Sequence, residues 1–497
     1  MLELLTADEM LRAEQITIDG GTPSLTLMEN AGRAVAEEVV RRFPRGSKVS
    51  ICCGRGNNGG DAFVCARILR ERGFQIRLGL LGKPEELKAE PKEMARRWDE
   101  TIEPLTVSML EGTEVVVDGI MGSGLKGPVN GEIADIIQSV NDKKIPVVAI
   151  DMPTGIEMTH GSVQGIAFES VSTVTFFRKK TGQVQFPGKK YCGDVRVSDI
   201  GISNKVLADI APQTFVNEPD FWLRYYPRLN KEGHKYDRGH AVVVSGPMES
   251  TGASRLSAAA ALRIGVGLVS LATSKAAFYV NAAQLTSIML SVYDGSSGLG
   301  ELLTNDPRQN AVLIGPGAGL SQETCENVAA VLSSEATVII DAEGLTAFEQ
   351  NPQDLFGLIQ GRSAPTIITP HKGEFDRIFP ELGNAESKLV QAKRAAEISG
   401  SVVIFKGPIT IISAPDGLSA VMGDAPPWLA TAGTGDILAG MITGLCAQGM
   451  SPFDAAAAAV WMHAELARTF GPGMISEDMP DLLPPLLQRL NKIMKLF

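Results

Sequence analysis

The chain has 497 residues, and its 46 lysines and arginines stand against 57 aspartates and glutamates, a net charge of -11 with a sequence pI near 5.2. Neither half is basic, which excludes a module built to neutralise a phosphate backbone and argues against a nucleic-acid partner. A hydrophobic share of 44% with 21% charged residues excludes disordered and collagen-like chains, and at roughly 100 to 200 residues per domain the length fits two to four domains.

The N-terminal stretch MLELLTADEMLRAEQ mixes Glu3, Asp8 and Glu9 into its apolar residues, so it lacks a signal peptide's pattern and reads as the start of a folded helix. No window approaches the roughly 18 to 20 apolar residues of a membrane span, and a soluble chain is expected. Cys52, Cys53, Cys65, Cys192, Cys325 and Cys446 are scattered without a CxxC pair, which predicts reduced core thiols in a cytoplasmic protein.

From residue 47 a β-branched run, a Gly-rich turn and an Ala/Leu-rich helical stretch follow one another repeatedly, the grammar of an α/β fold around a parallel sheet. Strands are expected at Lys48 to Cys53, Ile76 to Leu81, Val115 to Gly119, Pro146 to Ile150 and Ser172 to Phe177, with a helix over Ala62 to Arg72. The segment from Asn204 to Asn230 sets Pro212, Pro219 and Pro227 among aromatics and breaks the period, which places a linker there between domains at 1–217 and 222–497. A second series follows at Ala241 to Ser245, Gly267 to Ala272, Ala311 to Gly315, Thr337 to Asp341, Pro365 to Thr369 and Ser401 to Lys406, with helices over Ser250 to Gly265 and Gly435 to Cys446. Ligands of such sheets bind where strands end and helices begin.

After the first of these strands comes GRGNNGGDA, Gly54 to Ala62, whose glycines bring backbone N–H groups and a helix N-terminus to one point, suited to a phosphate or carboxamide oxygen. Tight strand-helix packing is the plainer use of such a turn, but packing alone does not call for Asn57, Asn58 and Asp61. Asp118 ends VVV and opens the loop Gly119 to Val129; Asp151 ends VVAI and precedes Pro153 and Thr154. Two strand-end carboxylates beside asparagine oxygens suit a shared cation, proton transfer, or simple capping of the next turn.

These residues resemble the NAD(P)H-hydrate epimerases, the YjeF N-terminal domain. LMENAG at Leu27 to Gly32, NNGGD, VDGIMGSGL from Val117, AIDMPTGI from Ala149 and TVTFFRKKTGQ from Thr173 occur in order over most of residues 1 to 205. The resemblance implies a Rossmann-like three-layer αβα sandwich. It implies hydrate binding by Asn57, Asn58, Gly59, Gly60 and Asp61, by Gly122, Ser123, Gly124, Leu125, Lys126, Gly127 and Pro128, and by Asp151, with a potassium ion held by Asn58, Asp118 and Thr154. The family usually has Pro at Arg55, Gly at Ala62 and Ser at Thr154; Thr keeps the hydroxyl, and Arg55 reads as solvated. Asp151 is the candidate acid/base. Lys180 reads as an exposed lysine, with a weaker electrostatic part beside Asp151 as the alternative.

In the second series ATAGTGD, Ala430 to Asp436, opens a helix with a Gly-Thr-Gly turn that offers backbone donors to an anion, and Asp436 stands where it could take a proton from a substrate hydroxyl. Lys406, in VVIFKGPIT, reads as a phosphate clamp. Strand ends also carry Gly315 to Gly319, Asp341 to Leu345, and Thr369 to Phe375, in which His371 reads as a ligand contact and Glu374 as either a helix cap or a carboxylate supporting a metal-bound water.

This set resembles the ADP- or ATP-dependent NAD(P)H-hydrate dehydratases, the YjeF C-terminal domain, over about residues 228 to 490. The resemblance implies a ribokinase-like αβα domain, hydrate contacts from Ala253, Gly317, His371 and Asp436, and contacts to a magnesium-bound ADP or ATP from Lys406, Gly407, Pro408, Ile409, Thr410 and Gly435. Pro247 to Ser250 replaces a usual Ser- and Tyr-containing turn, and Val266 a usual Ala. Together the two resemblances imply a bifunctional enzyme that interconverts the epimers of NADHX and NADPHX and dehydrates one of them; a homo-oligomer is expected. A ribokinase-type small-molecule kinase and a non-catalytic first domain are the rival readings.

Overall fold

A computed structural model describes residues 1–125, 127–228, 232–383 and 387–494. The chain divides into two compact units, Met1–Thr214 and Phe215–Phe497.

The first unit is built on a seven-stranded parallel sheet, in spatial order Ile102–Pro104, Gln75–Leu80, Lys48–Cys53, Val115–Gly119, Val147–Ile150, Ser172–Phe176 and Asp194–Ser198. Its central strands are continuous apolar runs because both faces are covered. Alternate residues feed two separate cores, Val49, Ile51, Val115 and Val117 on one side and Cys52, Val116 and Val147 on the other, which makes three layers. Strand order reverses direction between Lys48–Cys53 and Val115–Gly119, so the loops after these two strands diverge and leave a crevice.

At the N-terminus the expected helix start is a strand instead: Leu4–Leu5 pairs in parallel with Lys179–Lys180, and the helix Ala7–Asp19 begins only after Thr6, whose hydroxyl and Glu9 form a capping box. Leu4 and Leu5 are fully buried, so apolar packing wins over helix propensity at these two residues.

The second unit carries a ten-stranded sheet in the order Thr214–Val216, Ser419–Met422, Thr410–Ser413, Val402–Phe405, Thr366–Ile368, Thr337–Ile340, Gln309–Ile314, His240–Val244, Leu268–Ser274 and Met289–Tyr293. It is parallel from Met289–Tyr293 to Val402–Phe405 and becomes antiparallel at the hairpin formed by Thr410–Ser413 and Ser419–Met422. Here the order reverses between His240–Val244 and Gln309–Ile314. The expected linker is structured where described: Val206–Ile210 is helical, Asn217 donates to the Val421 and Ala457 carbonyls, and Trp222 is wholly buried against Trp461 and Tyr226. Pro219 starts the short helix Pro219–Trp222 rather than a free tether. Leu229 and Asn230, the end of that segment, lie outside the described residues. Among the described residues no helix is long and apolar enough to cross a membrane. The cysteines are free thiols, all buried except the half-buried Cys325.

Helices Thr251–Arg263 and Thr434–Ala447 cross at small residues. A Cβ on Gly440 would lie 2.1 Å from the Ser257 carbonyl oxygen, and Ser257 Oγ donates to the Asp436 carbonyl at 2.9 Å, so this crossing fixes the start of the second helix. Gly440→Val therefore lowers stability by about 3 kcal/mol or more through overpacking. The same change at Gly357, where a Cβ meets nothing within 4 Å, serves as the control. The measurement is the urea midpoint followed by tryptophan fluorescence, Trp222, Trp428 and Trp461 all lying in the second unit.

Candidate functional site

In the first unit the expected residues gather at the reversal of strand order. Gly54 donates to the Gly119 carbonyl at 2.9 Å, and a Cβ on Gly54 would lie 1.8 Å from the Ile120 oxygen, so only glycine lets these two strand ends meet. The helix after it opens at Asn57 rather than Ala62, putting Asn57, Asn58 and Gly59 at its open end while Gly60 N donates back to the Gly56 carbonyl at 3.2 Å. Asn58 Nδ2 donates to the Ile150 carbonyl at 2.9 Å, and its amide lies against Gly122, where a Cβ would come within 2.6 Å.

Asp118 is buried and held by three donors: its Oδ2 accepts from Thr154 N at 2.6 Å, and its Oδ1 from Thr154 Oγ1 at 2.7 Å and Ile120 N at 3.2 Å. Burial pushes its pKa up to about 6 against the pull of those bonds. Asn58, Asp118 and Thr154 thus stand around one loop with amide, carboxylate and hydroxyl oxygens, a donor set suited to a hard cation. Ser123, Gly124, Gly127 and Pro128 run exposed along the same loop, Leu125 packs partly under it, and Lys126 lies outside the described residues.

Asp151 adopts φ 62, a left-handed conformation uncommon without glycine, and its backbone is pinned by its own N–H on the Val174 carbonyl and by Gln183 Nε2 on its carbonyl. Its Oδ1 accepts from Thr175 Oγ1 at 2.8 Å and from Lys180 Nζ at 2.7 Å. Lys180 is not exposed: its side chain is 0% accessible and also donates to Thr175 Oγ1 and the Phe176 carbonyl. Pairing of Lys179–Lys180 with Leu4–Leu5 carries it inward, and an ammonium there requires the carboxylate of Asp151. Arg55 is solvated, 60% exposed and paired with Glu86.

A cleft of about 330 Å³ in this unit is lined by Glu14, Met28, Asn57, Asp61, Glu90 and Phe176 among others, and Asp151 and Lys180 do not line it. Burial, with Glu14 and Asp151 adding, drives the Asp61 carboxyl well above the usual range. Glu14 is pushed up to about 7 by burial and the charge of Asp151, against the opposing pull of Lys180. Glu14 belongs to no motif and was not expected from the sequence; only the helix Ala7–Asp19 places it here.

In the second unit the reversal point is closed by Gly246 and Gly317, a Cβ on Gly246 falling 1.9 Å from the Gly317 oxygen. Gly317 has φ 69 and donates to Glu343 Oε2 at 3.2 Å, and Ala253 is its neighbour across the crevice. Asp341, at the end of Thr337–Ile340, is buried and accepts from Thr369 Oγ1 at 2.5 Å and Lys406 Nζ at 2.7 Å. Lys406, expected as a phosphate clamp, is thus already bonded to a carboxylate. Its Nζ lies 4.0 Å from Glu374 and next to Gly435. Burial lowers its pKa, but Asp341, Glu374 and Asp436 outweigh this and raise it, keeping the charge.

Glu374 does cap its helix: His371 N donates to its Oε2 at 2.8 Å while His371 Nδ1 accepts from Gly373 N at 2.9 Å. The imidazole is 55% exposed, with Nε2 3.3 Å from Glu374 Oε1. The helix Thr434–Ala447 starts at Gly433, and the buried His463 bonds the Thr434 carbonyl at 2.8 Å. Asp436 stands in its first turn, its pKa pushed up to about 7 by burial, with Asp341 and Glu343 adding and Lys406 opposing. Asp341 and Glu343 lie in a motif visible in the sequence, yet their parts as counter-charge to Lys406 and anchor of Gly317 are visible only in the fold. Gly407, Pro408 and Ile409 form the turn into the strand that begins at Thr410.

Two family models match, one described as YjeF-related protein N-terminus over residues 24–182 and one as NAD(P)H-hydrate dehydratase over 241–483. The chain is similar to the bifunctional NAD(P)H-hydrate repair enzyme Nnr of Moorella thermoacetica, 33% identical with 98% of this chain and 97% of that one covered. It is similar to the Salinibacter ruber enzyme of the same name at 33%, over 97% and 95%. Residues of the second unit are similar to the crystal structure of an ADP/ATP-dependent NAD(P)H-hydrate dehydratase from Bacillus subtilis co-crystallized with ATP/Mg2+, at 26% identity, over 55% of this chain and 98% of that one, with a TM-score of 0.47.

Lys180→Met leaves the Asp151 carboxylate buried without its cation and costs the first unit about 3–5 kcal/mol at neutral pH. A carboxylate stranded in this way has its folded pKa raised above the unfolded value. The loss therefore shrinks as pH falls toward the ordinary aspartate value of about 4, where the group takes up a proton in both states. Urea unfolding of both proteins across that range is the check.

Proposed function

The chain belongs to the bifunctional NAD(P)H-hydrate repair enzymes, and from that membership we propose that Asp151 transfers the proton in epimerisation of hydrated NADH and NADPH and that Asp436 is the base of the nucleotide-dependent dehydration. The hydrate enters the first unit between the Asn57–Asp61 turn and the Gly122–Pro128 loop. Asn58, Asp118 and Thr154 would hold a potassium ion, which supplies a fixed positive charge at that crevice when bound. Asp151, whose carboxylate accepts from Lys180 and Thr175, takes the proton. Asp61 and Glu14, whose surroundings favour the neutral form, stand beside it as donors. A proton acceptor with proton donors near it is what a reaction that removes and restores a hydroxyl at one carbon requires.

Hydroxide is a poor leaving group, so the second unit couples its loss to ADP or ATP. The observation that carries this assignment is Asp436, a carboxyl of near-neutral pKa in the first turn of a helix, facing a lysine that Asp341 holds in place. Asp436 takes the hydroxyl proton as the terminal phosphoryl passes to the hydroxyl oxygen, and amides of the Gly433–Gly435 turn and Lys406 receive the charge on that phosphoryl. The ring-nitrogen lone pair then expels phosphate, and loss of a proton from the neighbouring carbon restores the dihydropyridine. His371, Ala253 and Gly317 line the hydrate's side of the crevice.

Asp436→Asn abolishes nucleotide-dependent recovery of 340 nm absorbance from hydrated NADH and leaves epimerisation intact; dehydration at the unaltered rate overturns the assignment. Asp151→Asn leaves dehydration working on one epimer only, so recovery from an epimeric mixture stops at about half in the early phase. Because a base must be deprotonated, the dehydration rate rises with pH through about 7 and levels off about one unit higher, and this rise is absent for the epimerase step.

A further inference from the structure

Lys388 opens the helix Lys388–Ser399 and reaches the turn that joins Val402–Phe405 to Thr410–Ser413. Its Nζ donates to the Lys406 carbonyl at 2.9 Å and to the Ile409 carbonyl at 2.5 Å, and lies 4.3 Å from the centre of the Phe405 ring. One amino group thus ties both ends of the turn and rests on the Phe405 ring. Gly407, between the two carbonyls, has φ 154, and a Cβ there would lie 2.7 Å from Nζ. The lysine head occupies the space a side chain at 407 would need.

Planarity of the peptide gives this a direction. In a trans peptide the C=O and the following N–H point opposite ways, so turning the Lys406 carbonyl toward Lys388 turns the Gly407 N–H to the far side of the turn. Pro408 has no N–H to compete. An apolar side chain would pack on Phe405 equally well, whereas a largely buried amino group is costly unless its bonds achieve something. Here, alongside the bond from Thr410 Oγ1 to the Gly407 carbonyl at 3.3 Å, they fix which face of the turn presents its amide.

We propose that Lys388 is the positioning residue of the adenine-nucleotide turn, holding the carbonyls of Lys406 and Ile409 inward so that the Gly407 amide faces the nucleotide. This rests on the nucleotide reading of residues 406–410 given above. The same lysine holds the backbone of Lys406, whose side chain pairs with Asp341, so the turn and the charged centre are set by one contact.

The test compares the full-length chain with Lys388→Met and Lys388→Arg by calorimetric titration of magnesium-ADP and magnesium-ATP and by steady-state dehydration. Lys388→Met should weaken nucleotide binding and raise the nucleotide KM at least tenfold, with kcat at saturation within about threefold and the urea midpoint and epimerisation retained. Lys388→Arg, which keeps two donors, should restore binding to within about threefold. Equal nucleotide KM in the wild type and both variants overturns the proposal, as does a Met variant whose kcat falls while KM holds. Absence of heat with either nucleotide in the wild type would instead overturn the nucleotide reading itself.

Discussion

An ammonium taken out of water must find a carboxylate or surrender its charge, and in each unit that requirement organises the site. Lys180 is wholly enclosed and finds Asp151; Lys406 is mostly enclosed and finds Asp341. Each acceptor follows directly on a parallel strand, where a hydroxyl on or just after the neighbouring strand, Thr175 or Thr369, completes its shell. Moving Lys180 by one residue would send it to the opposite face of its strand and leave a buried carboxylate alone. The strand register, the glycine contacts at the reversal points and the left-handed backbone of Asp151 all serve to keep these pairs in place.

Once one carboxylate in a crevice is pinned by a cation, its neighbours experience a negative charge with little water to screen it. Burial first, with that charge adding, pushes up Asp436 beside Asp341, and Glu14 and Asp61 beside Asp151. A lysine-bonded acceptor and readily protonated companions are therefore produced by the same arrangement, and neither has to be built separately. The two units reach this division of labour from different sheets and different motifs.

The strands of both sheets were readable because a strand covered on both faces is an unbroken β-branched run, and Lys48–Cys53 and Val115–Gly119 end where those runs end. So were the glycine turns and strand-end aspartates, whose residue types have few other uses at such places. Other features depend on contacts distant in sequence. Lys180 sits in a basic, polar stretch that looks solvated, and only its pairing with Leu4–Leu5 buries it. The hairpin at Thr410–Ser413 and Ser419–Met422 was hidden behind the loop motif that precedes it, and the early start of the helix at Asn57 behind two asparagines and two glycines of poor helix propensity. Trp222 and its neighbours looked like a tether because prolines and aromatics mixed without a period mark irregular backbone, not whether that backbone is packed. Glu14 carries no local mark at all.

The thiols show what such enclosure does to groups with no part in the chemistry. Oxidants and alkylating agents attack the thiolate, and burial pushes the pKa of Cys192 and Cys446 up to about 12 and holds Cys52, Cys53 and Cys65 higher still. Cys325 alone is half-buried, on the helix Gln322–Leu332. The unmodified chain therefore offers a maleimide dye one preferred attachment point, a ready-made reporter for fluorescence work on the second unit that leaves every other sulfur in place.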